Sequence, residues 1–135
     1  MDDFDFSYPD NINQGKVQDL ATLSFMDKKE NIIFIGPPGV GKSHLVQALG
    51  LKACEHGKTV LFVNAIDLMD DLHNARVEGT LKQRLIKLSK VNLLIIDELG
   101  YLKMDKEKES IFFQLIRQRY EKSSLIITTN LTFNR

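Results

Sequence analysis

A single cysteine, Cys54, stands in the sequence, so no disulfide can form within the chain and a reducing, cytoplasmic setting is expected. Its place in a helical pattern suits a small buried residue. The chain also lacks an excess of either charge: Lys plus Arg and Asp plus Glu each number 18, for a formal net charge of zero. That excludes a global attraction to nucleic acid or to an anionic membrane and leaves only local basic faces to consider. No apolar run approaches the length needed to span a bilayer, and the opening Met1-Asp2-Asp3-Phe4 is acidic where a secretory signal would be basic. No membrane partner is therefore expected. Repeats, low-complexity stretches and an internal linker are missing too. What is present, 135 residues that are 43% hydrophobic and 27% charged, suits one domain with a real core.

The strongest positive signal is Gly36-Pro37-Pro38-Gly39-Val40-Gly41-Lys42-Ser43, which fits the phosphate-binding pattern G-x-x-x-x-G-K-[ST]. Its context agrees. The apolar run Asn31–Ile35 before it suits a buried strand. Residues 44–56 after it read as a helix with Leu45, Ala48, Leu49 and Ala53 on one face and Gly57 as its stop. A polyphosphate needs many donors and little bulk. The three glycines let backbone N–H groups turn inward, and the helix N-terminus adds partial positive charge. Lys42 supplies a cation for the β- and γ-phosphates, and Ser43 a hydroxyl for Mg²⁺. ATP and Mg²⁺ are the expected ligands, held by residues 36–43 with His44 at the end of the set.

Further along, strands and helices alternate. The pattern predicts strands over 58–63, 92–96 and 124–128. Helices are predicted over 13–26, over 65–75 with Ile66, Met69 and Leu72 on one stripe, over 80–90 with Leu81, Leu85 and Leu88 inward, and from the charged loop 103–108 to about Glu121. This is an α/β fold, a parallel sheet covered by helices on both faces. Residues 1–30 read as an arm and helix packing on the core, and residues 31–135 as the ATP-binding core. Leu93-Leu94-Ile95-Ile96-Asp97-Glu98 ends a doubly covered strand with two acids, at the end where open α/β sheets bind ligands. Asp97 is assigned to the metal and Glu98 to activation of the attacking water. Asn130, at the exit of the last strand, is an amide candidate for the γ-phosphate. His44, His56 and His73 have no ligand spacing. Lys82, Arg84, Lys87 and Lys90 read first as a solvated helix face and second as a phosphate-contacting one.

Taken together, these residues resemble the Walker A, Walker B and sensor 1 motifs of AAA+ P-loop ATPases. Phe4-Asp5-Phe6, residues 39–45, Asp97-Glu98-Leu99-Gly100-Tyr101-Leu102, and Arg119-Tyr120-Glu121 before Thr128-Thr129-Asn130 narrow the resemblance. They are similar to IstB-like insertion-sequence ATP-binding proteins, close to the DnaC-type helicase loaders. The resemblance implies an ATPase acting in a DNA transaction, with DNA, a transposase or a replicative helicase as partners and a homo-oligomer as the intact form. It implies that the Asn130 strand lies between the P-loop strand and the Asp97 strand, so that Asn130 faces the γ-phosphate. It also implies that Phe4–Tyr8 lies near the adenine. Against the family pattern the chain reads as truncated at both ends, without the fifth strand, the arginine finger or the lid. Weak hydrolysis is expected for it. The alternative is a nucleotide-dependent binding module that does not turn over. A small-molecule kinase is disfavoured by the Asp97-Glu98 pair.

Overall fold

A computed structural model describes residues 22–35, 42–120 and 122–130, with the side chains of Lys42 and Tyr101 excepted. The arm over 1–12, the stretch 13–21 and the glycine loop 36–41 lie outside the described residues. In chain order the elements are α1 (Ser24–Asp27), β1 (Asn31–Ile35), α2 (Lys42–Glu55), β2 (Val60–Asn64), α3 (Ala65–Val77), α4 (Leu81–Ser89), β3 (Leu93–Asp97), a 3₁₀ turn (Leu99–Tyr101), α5 (Lys106–Arg119) and β4 (Ser124–Thr129). The strands form one sheet in the order β1-β4-β3-β2, every pairing parallel.

The two central strands, β3 and β4, are buried on both faces. Leu93 and Ile95 of β3 and Ile126 of β4 face α1 and α2, where Leu45, Val46, Leu49 and Ala53 meet Phe25, Met26 and Phe34. Their neighbours Leu94, Ile96, Leu125 and Ile127 face the other way, onto Leu68, Met69 and Leu72 of α3, Leu85 and Leu88 of α4, and Ile111 and Leu115 of α5. The alternation along β3 and β4 is the two-residue period of a strand with a helix layer on each side.

Four expectations need correction. The strand over 31–35 is buried only at Phe34, and Ile33 is 51% exposed, because β1 stands at one edge of the four-stranded sheet. Ile66 is exposed: the buried stripe of α3 is Ala65, Leu68, Met69, Leu72 and Ala75, and one residue of helix turns position 66 about 100° away from it. Cys54 is exposed for the same reason, since the α2 stripe ends at Ala53. A continuous helix to residue 26 is broken at Leu23, whose φ of 62° is left-handed and sets Ser24–Asp27 apart as one turn.

Local chemistry explains the helix ends. Gly57 follows α2 with φ of 79°, where only glycine avoids a Cβ penalty. Asn64 caps α3 by accepting the Ile66 N–H at 2.9 Å, and Asp105 caps α5 by accepting the Lys108 N–H at 2.8 Å. Glu107 of α5 pairs with His73 at 2.5 Å and Arg76 at 3.5 Å, tying the start of α5 to α3.

Candidate functional site

The C-terminal ends of β2, β3 and β4 and the N-terminus of α2 meet at one edge of the sheet. The order β1-β4-β3-β2 puts the Asn130 strand between the strand before the glycine loop and the Asp97 strand, as expected. Ser43, in the first turn of α2, donates its hydroxyl to the Asp97 carboxylate, with Oδ2 at 3.0 Å and Oδ1 at 3.2 Å. These residues are 54 apart in sequence, and only the fold brings them together. Both are hard oxygen donors, the ligand chemistry that Mg²⁺ takes beside phosphate and water. Ser43 and Asp97 therefore fit the assigned cation.

Asp97 is buried and takes a second hydrogen bond, from the Thr128 hydroxyl of β4. The same Thr128 oxygen accepts the Glu98 N–H at 2.9 Å. Glu98 itself has φ of 63° and ψ of 42°, a left-handed conformation that costs a non-glycine residue on the order of 1–2 kcal/mol. A residue held in that region beside a cleft needs supports that fix it there. One is the Thr128 hydroxyl. The other is Asn64, whose Nδ2 donates to Glu98 Oε2 at 2.9 Å while its Oδ1 caps α3. The Glu98 side chain is exposed at the sheet edge.

Asn130 follows β4 and is half-buried at the same edge. Its Oδ1 is buried and has no hydrogen-bond partner among the described residues. It rests on the bare Cα of Gly100: a Cβ built there would come within 1.9 Å of Asn130 Oδ1 and 3.0 Å of Thr129 Oγ1. The 3₁₀ turn carrying Gly100 and the β4 exit thus interlock. His44 is exposed on the first turn of α2. Of the remaining expected site residues, Gly36, Pro37, Pro38, Gly39, Val40 and Gly41 lie outside the described residues, and Lys42 opens α2 without a described side chain.

Asn64, Thr128 and Gly100 belong to this constellation although sequence reading gives none of them a role. An asparagine and a threonine at strand ends have ordinary explanations, as a turn former and a β-branched strand residue. Only the register, which pairs Asn64 of β2 with Asp97 and Ile127 of β4 with Ile96, so that Thr128 follows beside Asp97, brings these two to the acids.

The basic residues of α4 are all exposed, but they are not equivalent. Arg84 makes a fork to Asp71 of α3, Nε at 2.8 Å and an amino group at 2.9 Å, and these hydrogen bonds hold its guanidinium above its ordinary pKa. Arg119 is the other distinctive cation. It is buried under the opposite end of the sheet, remote from Asp97.

Known proteins with this pattern bear on the edge just described. The curated relatives include the insertion sequence IS232 putative ATP-binding protein of Bacillus thuringiensis subsp. berliner, 44% identical over 98% of this chain and 53% of its own length. They also include the insertion sequence IS21 putative ATP-binding protein of Pseudomonas aeruginosa, 45% identical over 98% of this chain and 50% of its own. The chain thus spans about half the length of these relatives. Among solved structures, the DnaC helicase loader superposes with a TM-score of 0.73 at 24% identity, covering 95% of this chain and 76% of that one. At that identity the likeness speaks for the fold alone, a parallel sheet flanked by helices. The family model described as IstB-like ATP binding protein matches residues 1–135, and the chain is a member of that family.

Proposed function

We propose that this chain binds ATP with Mg²⁺ at the sheet edge formed by β2, β3, β4 and the start of α2, and that it hydrolyses ATP in service of a DNA transaction. One observation carries the reading: Ser43, directly after the glycine loop and Lys42, lies within hydrogen-bond distance of the buried carboxylate of Asp97. In the roles we assign, backbone N–H groups of residues 36–41 and the start of α2, with His44 at its exposed rim, cradle the phosphates and Lys42 faces the β- and γ-phosphates. Ser43 and Asp97 hold the cation, which neutralises charge on the phosphate oxygens when bound. Glu98 orients and deprotonates the attacking water, and Asn130 contacts the γ-phosphate or that water. The family's insertion-sequence members and the helicase-loader fold support DNA as a partner, with a transposase or a replicative helicase as the recipient protein and a homo-oligomer as the working form of the intact protein.

A second reading, nucleotide binding without significant turnover, is favoured by one contact: Glu98 Oε2 is engaged by Asn64, so the proposed base is restrained in this conformation. The two readings separate in one set of assays. Lys42→Ala is expected to weaken Mg-ATP binding at least tenfold, about 1.4 kcal/mol. Unchanged affinity in a titration removes the phosphate-loop assignment. Glu98→Gln is expected to bind nucleotide normally and to lose about a hundredfold or more of phosphate release, the scale of a lost general base. A parent chain that binds ATP and releases no phosphate, with or without DNA, establishes the second reading instead.

A further inference from the structure

We infer that Thr128 is a positioning residue for the proposed nucleotide site: its hydroxyl fixes the Asp97 carboxylate and the Glu98 backbone relative to each other, and so sets the cation-holding acid and the water-activating acid as one unit. The inference rests on the reading given under Proposed function and adds a residue to it.

Three observations converge. Thr128 is 1% exposed and sits in β4, which is hydrogen-bonded on both sides, by β1 and by β3, so its own backbone has little freedom. Its Oγ1 uses both capacities of a hydroxyl toward neighbouring residues of β3 and the turn after it, donating to Asp97 Oδ1 and accepting from the Glu98 N–H at 2.9 Å. Glu98 occupies the left-handed region, which an unrestrained glutamate leaves. A hydroxyl that bonds the residue before the kink through its side chain and the kinked residue through its backbone defines the turn between them. Ser43 then completes the arrangement from α2, its hydroxyl reaching the same carboxylate. Asp97 is thereby oriented from two sides, by a strand behind it and by the helix that follows the glycine loop.

A plain structural role, in which a buried hydroxyl is merely satisfied, makes different demands. It ties Thr128 to stability and leaves cation dependence alone. The discriminating variants are Thr128→Val, which keeps shape and removes the hydroxyl, and Thr128→Ser, which keeps the hydroxyl and removes the methyl. Two readouts are taken on the 135-residue chain. The first is amide hydrogen exchange at Glu98, which needs no nucleotide. It is expected to quicken about tenfold in Thr128→Val, the scale of one lost hydrogen bond, and to stay near the parent value in Thr128→Ser. The second is the ratio of ATP affinities with and without Mg²⁺. It is expected to shrink about tenfold in Thr128→Val, with Mg²⁺-free affinity unchanged, and to be retained by Thr128→Ser.

Glu98 exchange in Thr128→Val that matches the parent overturns the inference. So does an unaltered Mg²⁺ ratio in that variant, or a Thr128→Ser chain that loses both properties although its hydroxyl remains. The serine variant keeps the inference open to refutation even where valine fails to fold. A parent chain with no Mg²⁺-dependent ATP affinity overturns the proposed function instead, and the exchange readout still decides for or against Thr128.

Discussion

Position 100 has no room for a side chain while Asn130 stays where it is. A Cβ there would meet Asn130 Oδ1 at 1.9 Å, far inside contact distance, and the near atom is the end of a side chain that can rotate. Gly100→Ala therefore displaces Asn130 and leaves the backbone alone. The glycine of the Asp97–Leu102 motif is explained by this approach; its φ plays no part. Because Asn130 is proposed to contact the γ-phosphate or the attacking water, Gly100→Ala is expected to fold, with a thermal midpoint within about 5 °C of the parent. It should retain ATP affinity within about threefold and lose about tenfold or more of phosphate release, an interaction made mainly in the transition state. Equal turnover in parent and variant would separate Asn130 from the chemistry. A loss of affinity with turnover at saturating ATP unchanged would make Gly100 a determinant of binding alone.

At the scale of elements, Arg119 shows how the far end of the sheet is closed. Its guanidinium is buried at 1% exposure and has no carboxylate partner among the described residues; burial lowers its pKa to about 10. Instead it donates to the carbonyls of Leu88 at 2.5 Å, Val91 at 3.0 Å and Ser124 at 2.6 Å, joining the end of α4, the entry to β3 and the start of β4 from the last turn of α5. The carbonyls at a helix C-terminus carry partial negative charge and suit a cation. Arg119→Ala leaves three carbonyls to find water or stay unpaired, and is expected to cost about 2–4 kcal/mol in urea unfolding; Arg119→Lys recovers only part, since an ammonium cannot reproduce the fork. The pH dependence has a definite sign. The folded pKa lies below that of an exposed guanidinium, so the unfolded chain holds more protons only above about pH 10, and there stability contributed by this residue rises with pH. Between about pH 6 and 8 the deficit of the variant should be flat. In the sequence Arg119 reads only as part of a family signature, because nothing local distinguishes a buried arginine from an exposed one on an amphipathic helix. The strands were legible for the opposite reason: runs of apolar residues mark them. The run Leu93–Ile96 in the middle of the sheet is buried throughout, whereas the equally apolar runs of β1 and β2 leave Ile33 and Phe62 exposed, because a run alone does not tell an edge strand from a central one. Ile66 and Cys54 misled because one residue of helical phase separates a buried stripe from solvent. Ser43, Asp97 and Glu98 were legible as motifs, whereas Asn64 and Thr128 acquire meaning only through parallel pairing across 30 or more residues.

For the molecule as a whole, a net charge of zero means that any attraction to DNA must come from an uneven distribution of charge. Helix α4 supplies one: Leu81–Ser89 contains Lys82, Arg84 and Lys87 and no acid, and Lys90 follows at its end. The fold divides these cations. Arg84 is committed to Asp71 through two hydrogen bonds, whereas no ion pair engages Lys82, Lys87 or Lys90 among the described residues. A cation already neutralised by a carboxylate releases little when it meets a phosphate, so it adds little to the salt dependence of binding. If the proposed DNA role runs through this face, neutralising Lys82 and Lys87 together should flatten the slope of log affinity against log salt by about two units. Arg84→Gln should flatten it by well under one unit and weaken the α3–α4 contact by only about 0.5 kcal/mol, since the pair is exposed. Fluorescence anisotropy of a labelled duplex with ATP and Mg²⁺, across a series of salt concentrations, measures all three chains. A slope unchanged by the double lysine variant returns this face to solvent. A slope that responds to Arg84 as strongly as to each lysine shows that DNA displaces Asp71 from the fork, and that binding is coupled to the packing of α3 against α4.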